Sequence, residues 1–215
     1  MRLFVAIAPP PEALGDLAAV VEPLRIAAPE LRWAGRESWH LTLAFLGEVD
    51  EGRLAELCTR LERAARRHPQ QRLSITGGGA FPSAGRARVV WAGIRADGRA
   101  LAALAASVAA GARRAGAPPP DEGRKYHPHL TLARCRQPAD VRSLVSELAL
   151  ATGPDWTADA IHLVRSHLTG SSPRYELMGS WPLLGRPRSP GATAAAEADQ
   201  DEDRPGAPAK GARRG

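Results

Sequence analysis

His40-Leu41-Thr42-Leu43-Ala44 recurs letter for letter as His129-Leu130-Thr131-Leu132-Ala133. Both copies read as strands, with leucines alternating with His and Thr at period two. Side chains two apart share a face of a strand, so His40 with Thr42, and His129 with Thr131, point one way while the leucines enter the core. A helix-period pattern and then another strand follow each copy. Such an internal repeat predicts two lobes related by a pseudo-two-fold axis.

Working outward, strands are expected at 3–8, 31–34, 39–45, 73–78, 88–94, 130–134, 160–166 and 175–181. Helical spacing of apolar residues places four helices between them, around Leu14 to Leu24, Leu54 to Leu61, Leu101 to Val108 and Val141 to Leu148. Pro23 is expected to kink or shorten the first helix; Asp50 and Asp97 are expected to cap the second and third. The order of elements is not a regular βαβ alternation and points to an α+β fold with antiparallel pairing. With 215 residues, 44% hydrophobic and 24% charged, the composition is that of an ordinary globular chain. From Arg186 the sequence turns to Pro, Gly, Ala and mixed charge with no apolar period, so 1–185 is the expected folded domain and 186–215 a disordered tail.

Several function classes are excluded or left without support. The longest apolar run, Leu101 to Ala112, is mostly alanine, is broken by Ser107 and Gly111, and is short of the roughly 18 residues of a membrane span. The opening Met1 to Ala8 reads as a first strand, not a leader. Cys58 and Cys135 lack metal-type spacing and suit a reducing, cytoplasmic setting. The formal net charge is +6, and Lys125 and Lys210 are the only lysines. Arginine binds phosphate through a planar fork, but a coding bias toward Arg and Ala is the better account of the composition, so charge alone names no partner.

The repeat carries the chemistry. Two strands facing each other across a cleft would offer an anion two imidazoles and two hydroxyls. With an ordinary pKa of about 6.5, one histidine can take a proton while the other gives one. A lone His-x-Thr is usually a solvent-facing strand; duplication in matching context reverses that preference.

These motifs resemble the two-histidine (2H) phosphoesterase superfamily, specifically the bacterial RNA 2′,3′-cyclic phosphodiesterases once called 2′-5′ RNA ligases. The resemblance covers roughly residues 1–184. It rests on Arg2 to Ile7, on Trp39 through Glu48 with both motif letters, and on Tyr126-His127-Pro128-His129 through Arg134. Phe81-Pro82, the Arg88 to Gly93 strand, Ser166 and Tyr175-Glu176 also look like that family. The resemblance implies a bilobal, LigT-like fold with antiparallel sheets lining a basic central cleft and helices outside. It also implies hydrolysis of RNA 2′,3′-cyclic phosphate ends to 2′-phosphates with neither metal nor cofactor. His40 would be the proton donor to the leaving 3′ oxygen and His129 the proton acceptor from water. Thr42 and Thr131 would bind the phosphate oxygens, with Arg134 and Phe45 as further substrate contacts. Expected partners are RNA with a cyclic phosphate end or small cyclic nucleotides, acted on by a monomer, with the reverse joining to 2′-5′ linkages as a further capacity.

Other signals are weaker. His127-Pro128-His129 could form a metal pair, but no carboxylate flanks either motif; His127 is expected to shape or polarise the cleft instead. His68, His162 and His167 have no duplicated partner. Gly77-Gly78-Gly79 lacks the lysine of a phosphate loop and reads as a strand end or bulge. Trp33, Trp39, Phe45 and Tyr175 could stack on a base, yet core packing suits all but Phe45 better. The competing functional class is a non-catalytic RNA-end binding module using the same cleft.

Overall fold

A computed structural model describes residues 1–96, 99–120, 125–167 and 173–186. In chain order the main elements are β1 (Arg2–Ile7), α1 (Pro11–Ala27), β2 (Arg32–Trp33), β3 (Leu41–Glu48) and α2 (Leu54–Arg67). They continue with β4 (Gln71–Phe81), β5 (Ala87–Ala96), α3 (Ala100–Arg114), β6 (His129–Ala139), α4 (Arg142–Leu148), β7 (Trp156–Ala158), β8 (Ala160–His167) and β9 (Arg174–Pro182). The tail expected from Arg186 and the Asp97 cap lie outside the described residues, save Arg186 itself. Pro23 does not shorten α1, which runs on to Ala27. Asp50 accepts from the Gly52 N–H at 2.7 Å and so caps the single 3-10 turn that leads into α2.

All the strand pairs are antiparallel, and the sheet consists of two halves. One has the order β7-β4-β5-β6, the other β3-β1-β8-β9. Among the described residues they meet through a single ladder pair, Leu41 with Leu130, the first leucines of the two motifs. The internal repeat is thus real in three dimensions, with β3 and β6 as equivalent strands. Its outer strands are exchanged. β4, which follows β3 and α2, pairs with β5 in the other half, and β8, which follows β6 and α4, pairs with β1. Helices pair accordingly, α2 with α3 and α1 with α4. Exchange ties each lobe to the other by whole strands, so neither lobe holds its own sheet together alone.

Leu41, Leu130 and Leu132 are fully buried and Leu43 nearly so, which is why the motif face is unambiguous: a one-residue slip would expose all of them. Strict alternation nevertheless fails. Val5 pairs with Ala44 and Ala6 with Thr42; Val90 pairs with Ala133 and Trp91 with Thr131. Each motif strand therefore carries an extra residue at the same place, a β-bulge at the Leu-Ala step, which buries two neighbours in succession and turns the next side chain to the opposite face. That residue is Phe45 in one copy and Arg134 in the other. Regular alternation would have set both off the His/Thr face; the duplicated bulge puts both on it.

The three glycines of β4 fulfil the bulge expectation, with a register shift between Ile75 and Gly78 and Gly77 at φ +58°. A Cβ at Gly79 would come within 2.4 Å of the Trp91 ring, so the absence of a side chain lets that ring lie against the strand.

Candidate active site

The Leu41–Leu130 pair sets the site's geometry. Both leucines point into the core, so His40, Thr42, His129 and Thr131 share the opposite, cleft face. Antiparallel direction sets His40 toward Thr131 and Thr42 toward His129, leaving the two imidazoles diagonal to each other. Diagonal neighbours on one sheet face lie about 7–8 Å apart, and among the described residues β3 and β6 are in ladder register at this pair alone. The two rings sense each other: charge on His129 contributes to the depressed pKa of His40.

His40 is not within β3, as expected, but in the residue just before it. Its ring is positioned by aromatic surfaces. Phe4, 4% exposed, stacks on it at a centroid distance of 4.5 Å, and Tyr175 meets it edge-on at 5.3 Å. Burial is the main cause, and His129 the lesser one, of a pKa lowered to about 4. Phe45, 44% exposed, lies 6.1 Å from Phe4 on the same face.

His129 is held by a polar contact. Its Nδ1 lies 2.7 Å from the His127 carbonyl oxygen. A carbonyl only accepts, so Nδ1 carries the proton and the neutral ring keeps its lone pair on Nε2. Burial pushes the His129 pKa down; the His127 carbonyl opposes this, and the His127 and Arg134 charges add to it. The ring also meets Phe81 edge-on at 5.1 Å.

One short segment serves both motifs. Tyr126 donates its hydroxyl proton to the Thr42 carbonyl at 3.1 Å, across the junction of the halves, while His127 supplies the carbonyl that orients His129. The Tyr126 phenol is itself buried, which raises its pKa. The His127 ring packs on Trp91 at 4.7 Å. Among the described residues no group of three or more His, Cys, Asp or Glu side chains is assembled as a metal site.

The set-aside residues fall elsewhere. Trp39 is 5% exposed core, and Trp33 donates from Nε1 to the Ala28 carbonyl at 2.8 Å. His68 contacts the Ser107 hydroxyl at 2.7 Å, between α2 and α3, and His167 pairs with Glu176 at 2.8 Å. The sequence assigned no role to Phe4 or Tyr126, and it pointed Tyr175 to core packing or base stacking, not to the edge contact with His40. The missed signal for the first was that Phe4 lies two residues from Ala6 on a strand that had to pair beside the motif.

A family model described as the 2′-5′ RNA ligase superfamily matches residues 9–170. The chain belongs to that superfamily. Relatives named RNA 2′,3′-cyclic phosphodiesterase include one from Thermus thermophilus, 33% identical over 86% of this chain and 91% of its own length, and one from Aeropyrum pernix, 31% identical over 77% and 93%. A third, from Geobacillus stearothermophilus, is 29% identical over 86% of the chain, which spans only 58% of that relative. Among solved structures of the superfamily, a Thermus thermophilus protein matches with a TM-score of 0.70 and 32% identity, covering 86% of this chain and 99% of its own. E. coli LigT in complex with 3′-AMP matches with a TM-score of 0.67 and 27% identity, covering 85% and 97%. The α+β class read from the order of elements, and the 2H-type fold that the resemblance implied, are therefore the fold found. No helix among the described residues is long and apolar enough to cross a membrane.

Proposed function

We propose that this chain hydrolyses the 2′,3′-cyclic phosphate at an RNA end, using His40 and His129 as an acid/base pair. The carrying observation is the square of His40, Thr42, His129 and Thr131 around the Leu41–Leu130 pair. Relatives at about 30% identity over most of the chain bear the name of this activity.

Water attacks phosphorus and passes a proton to His129, whose free nitrogen is Nε2 because Nδ1–H is engaged by the His127 carbonyl. The bond from phosphorus to the 3′ oxygen breaks, and that oxygen takes a proton from His40. The product is a 2′-phosphate with a free 3′-hydroxyl, and one proton has crossed the site in each turnover. Both histidine pKa values are lowered on their own, so His40 needs the substrate's negative charge to hold its proton; a phosphodiester anion supplies it, and the Phe4 ring favours the imidazolium by a cation–π contact. Thr42 and Thr131 donate to the non-bridging oxygens, and Arg134 adds charge from the His129 side. A 5′-hydroxyl in place of water would give a 2′-5′ linkage by the same proton transfers. All these groups come from one chain, consistent with a monomer, and the reaction draws on no metal.

The test is product identification from a short RNA ending in a 2′,3′-cyclic phosphate. A 2′-phosphate is expected. Tight binding without turnover would instead establish the binding-module reading. Substituting sulfur for the 3′ oxygen removes the need for an acid, so it should restore rate to His40→Ala and not to His129→Ala; the reverse pattern would exchange the two roles.

A further inference from the structure

β2 is two residues long, yet it places one arginine directly opposite another. Arg32 pairs in register with Arg134 of β6, and Trp33 with Ala133. Cross-strand partners share a face, so Arg32 lies on the cleft face beside Arg134, and Trp33 lies on the core side, packed against the core. The strand occupies the edge of β6 that β3 leaves when the halves diverge. It is anchored there by the Ala34 N–H to the Leu132 carbonyl at 2.8 Å and by the Trp33 indole to Ala28.

Like charges directly opposed on a sheet are destabilising. Elsewhere on the surface, Arg60, Arg66, Arg72 and Arg95 each have a carboxylate partner. Among the described residues no ion pair involves Arg32 or Arg134, and both are exposed. Glu30, two residues before Arg32, bears on Cys135. A pair with no carboxylate partner among the described residues, held by backbone pairing at the lip of the proposed phosphate site, is suited to a ligand with two adjacent negative charges. Opposed residues are about 5 Å apart at Cα, and two long guanidinium arms starting there can fan to successive phosphates of one strand.

We propose that Arg32 binds the internucleotide phosphate next to the cyclic end, so that the site is built for the end of an RNA strand rather than for a free mononucleoside cyclic phosphate. This rests on the hydrolytic reading above.

The experiment compares cytidine 2′,3′-cyclic phosphate with a trinucleotide carrying the same end. Arg32→Ala is expected to lower kcat/KM for the trinucleotide by about tenfold, the loss of one charged hydrogen bond, and for the mononucleotide by less than twofold. The slope of log kcat/KM against log salt for the trinucleotide should fall by about 0.7. Arg66→Ala, which removes the same charge from α2, should change neither. Equal losses on both substrates, or none, overturn the proposal. Affinity for the trinucleotide bearing a 2′-phosphate, measured with the same variants, reads the Arg32 contact independently of turnover. If the wild-type protein bound that product but hydrolysed neither substrate, the hydrolytic reading would fall while the Arg32 contact was still decided by the variant's affinity.

Discussion

The two copies of His-Leu-Thr-Leu-Ala are identical in covalent structure, yet their imidazoles are set in different surroundings. His40 is sandwiched by hydrocarbon, with Phe4 beneath it and the edge of Tyr175 beside it. His129 is tied by a hydrogen bond to a carbonyl, with a third imidazole and a guanidinium nearby. After each bulge the equivalent position holds Phe45 in one copy and Arg134 in the other. A pseudo-symmetric scaffold thus gives an asymmetric site, and asymmetry is what a reaction with one proton donor and one acceptor requires. Residues outside the repeat, not the repeat itself, make the two surroundings differ.

The largest expected effect breaks the pair altogether. His40→Ala, His129→Ala and the double variant should each remain folded and lose about 10²–10⁴ in turnover, the double variant losing little more than either single one because the groups act as a unit. Steady-state rates on a cyclic-phosphate RNA end check this; near wild-type turnover in either single variant would remove that histidine from the chemistry.

Next, the two post-bulge residues should separate. Arg134→Ala should cost about 10- to 100-fold in kcat/KM through the lost charged contact. Phe45→Ala should act chiefly on KM, by about 5- to 100-fold if a base stacks there. Comparing KM and kcat for both variants sharpens the contrast, and identical profiles would mean that the asymmetry at this position is functionally silent.

The differing burial has a pH signature in stability. The folded-state pKa of His40 is depressed to about 4 from an ordinary 6.5. Between these values the unfolded chain takes up a proton that the folded chain refuses, so the contribution of His40 to stability is fully present above pH 6.5 and is lost as pH falls toward 4. The loss is on the order of 3 kcal/mol. Thermal melts of wild type and His40→Gln over this range should converge at low pH, since the variant lacks that titration; parallel curves would show that the ring is not desolvated.

The smallest effects concern what lies outside both copies. Excess EDTA should leave the rate unchanged, and a divalent ion that alone restored lost activity would promote the His127/His129 metal pair. A chain ending at Arg186 should keep its melting temperature within about 1–2 °C and its turnover. The end must not fall earlier, because the Gly185 N–H bonds to the His68 carbonyl at 2.8 Å and the Leu183 N–H to the Asp159 carbonyl at 2.7 Å.

Much of this was legible because it is local or periodic. Among the described residues four helices and eight of the nine strands stand where apolar spacing set them; β7, three residues long, gave too short a pattern to read. The His/Thr face was legible because alternation at Leu41, Leu43, Leu130 and Leu132 is strong. Arg134 and Phe45 were legible only through resemblance, since a bulge shows in sequence merely as two successive apolar residues, a pattern that a buried strand produces equally well.

By itself, then, the sequence determined the duplicated motif, the α+β class, the side of each motif strand that turns to the core ahead of its bulge and the residue types available for acid/base chemistry, all of them consequences of short-range geometry and burial. Only the tertiary structure decided which strands are exchanged between the halves, that Leu41 and Leu130 form their single junction, and that Phe4 and the His127 carbonyl hold the two imidazoles. It also decided that Arg32 stands opposite Arg134. These depend on contacts between residues tens of positions apart, and side-chain periodicity carries no information about which distant strand will supply the partner.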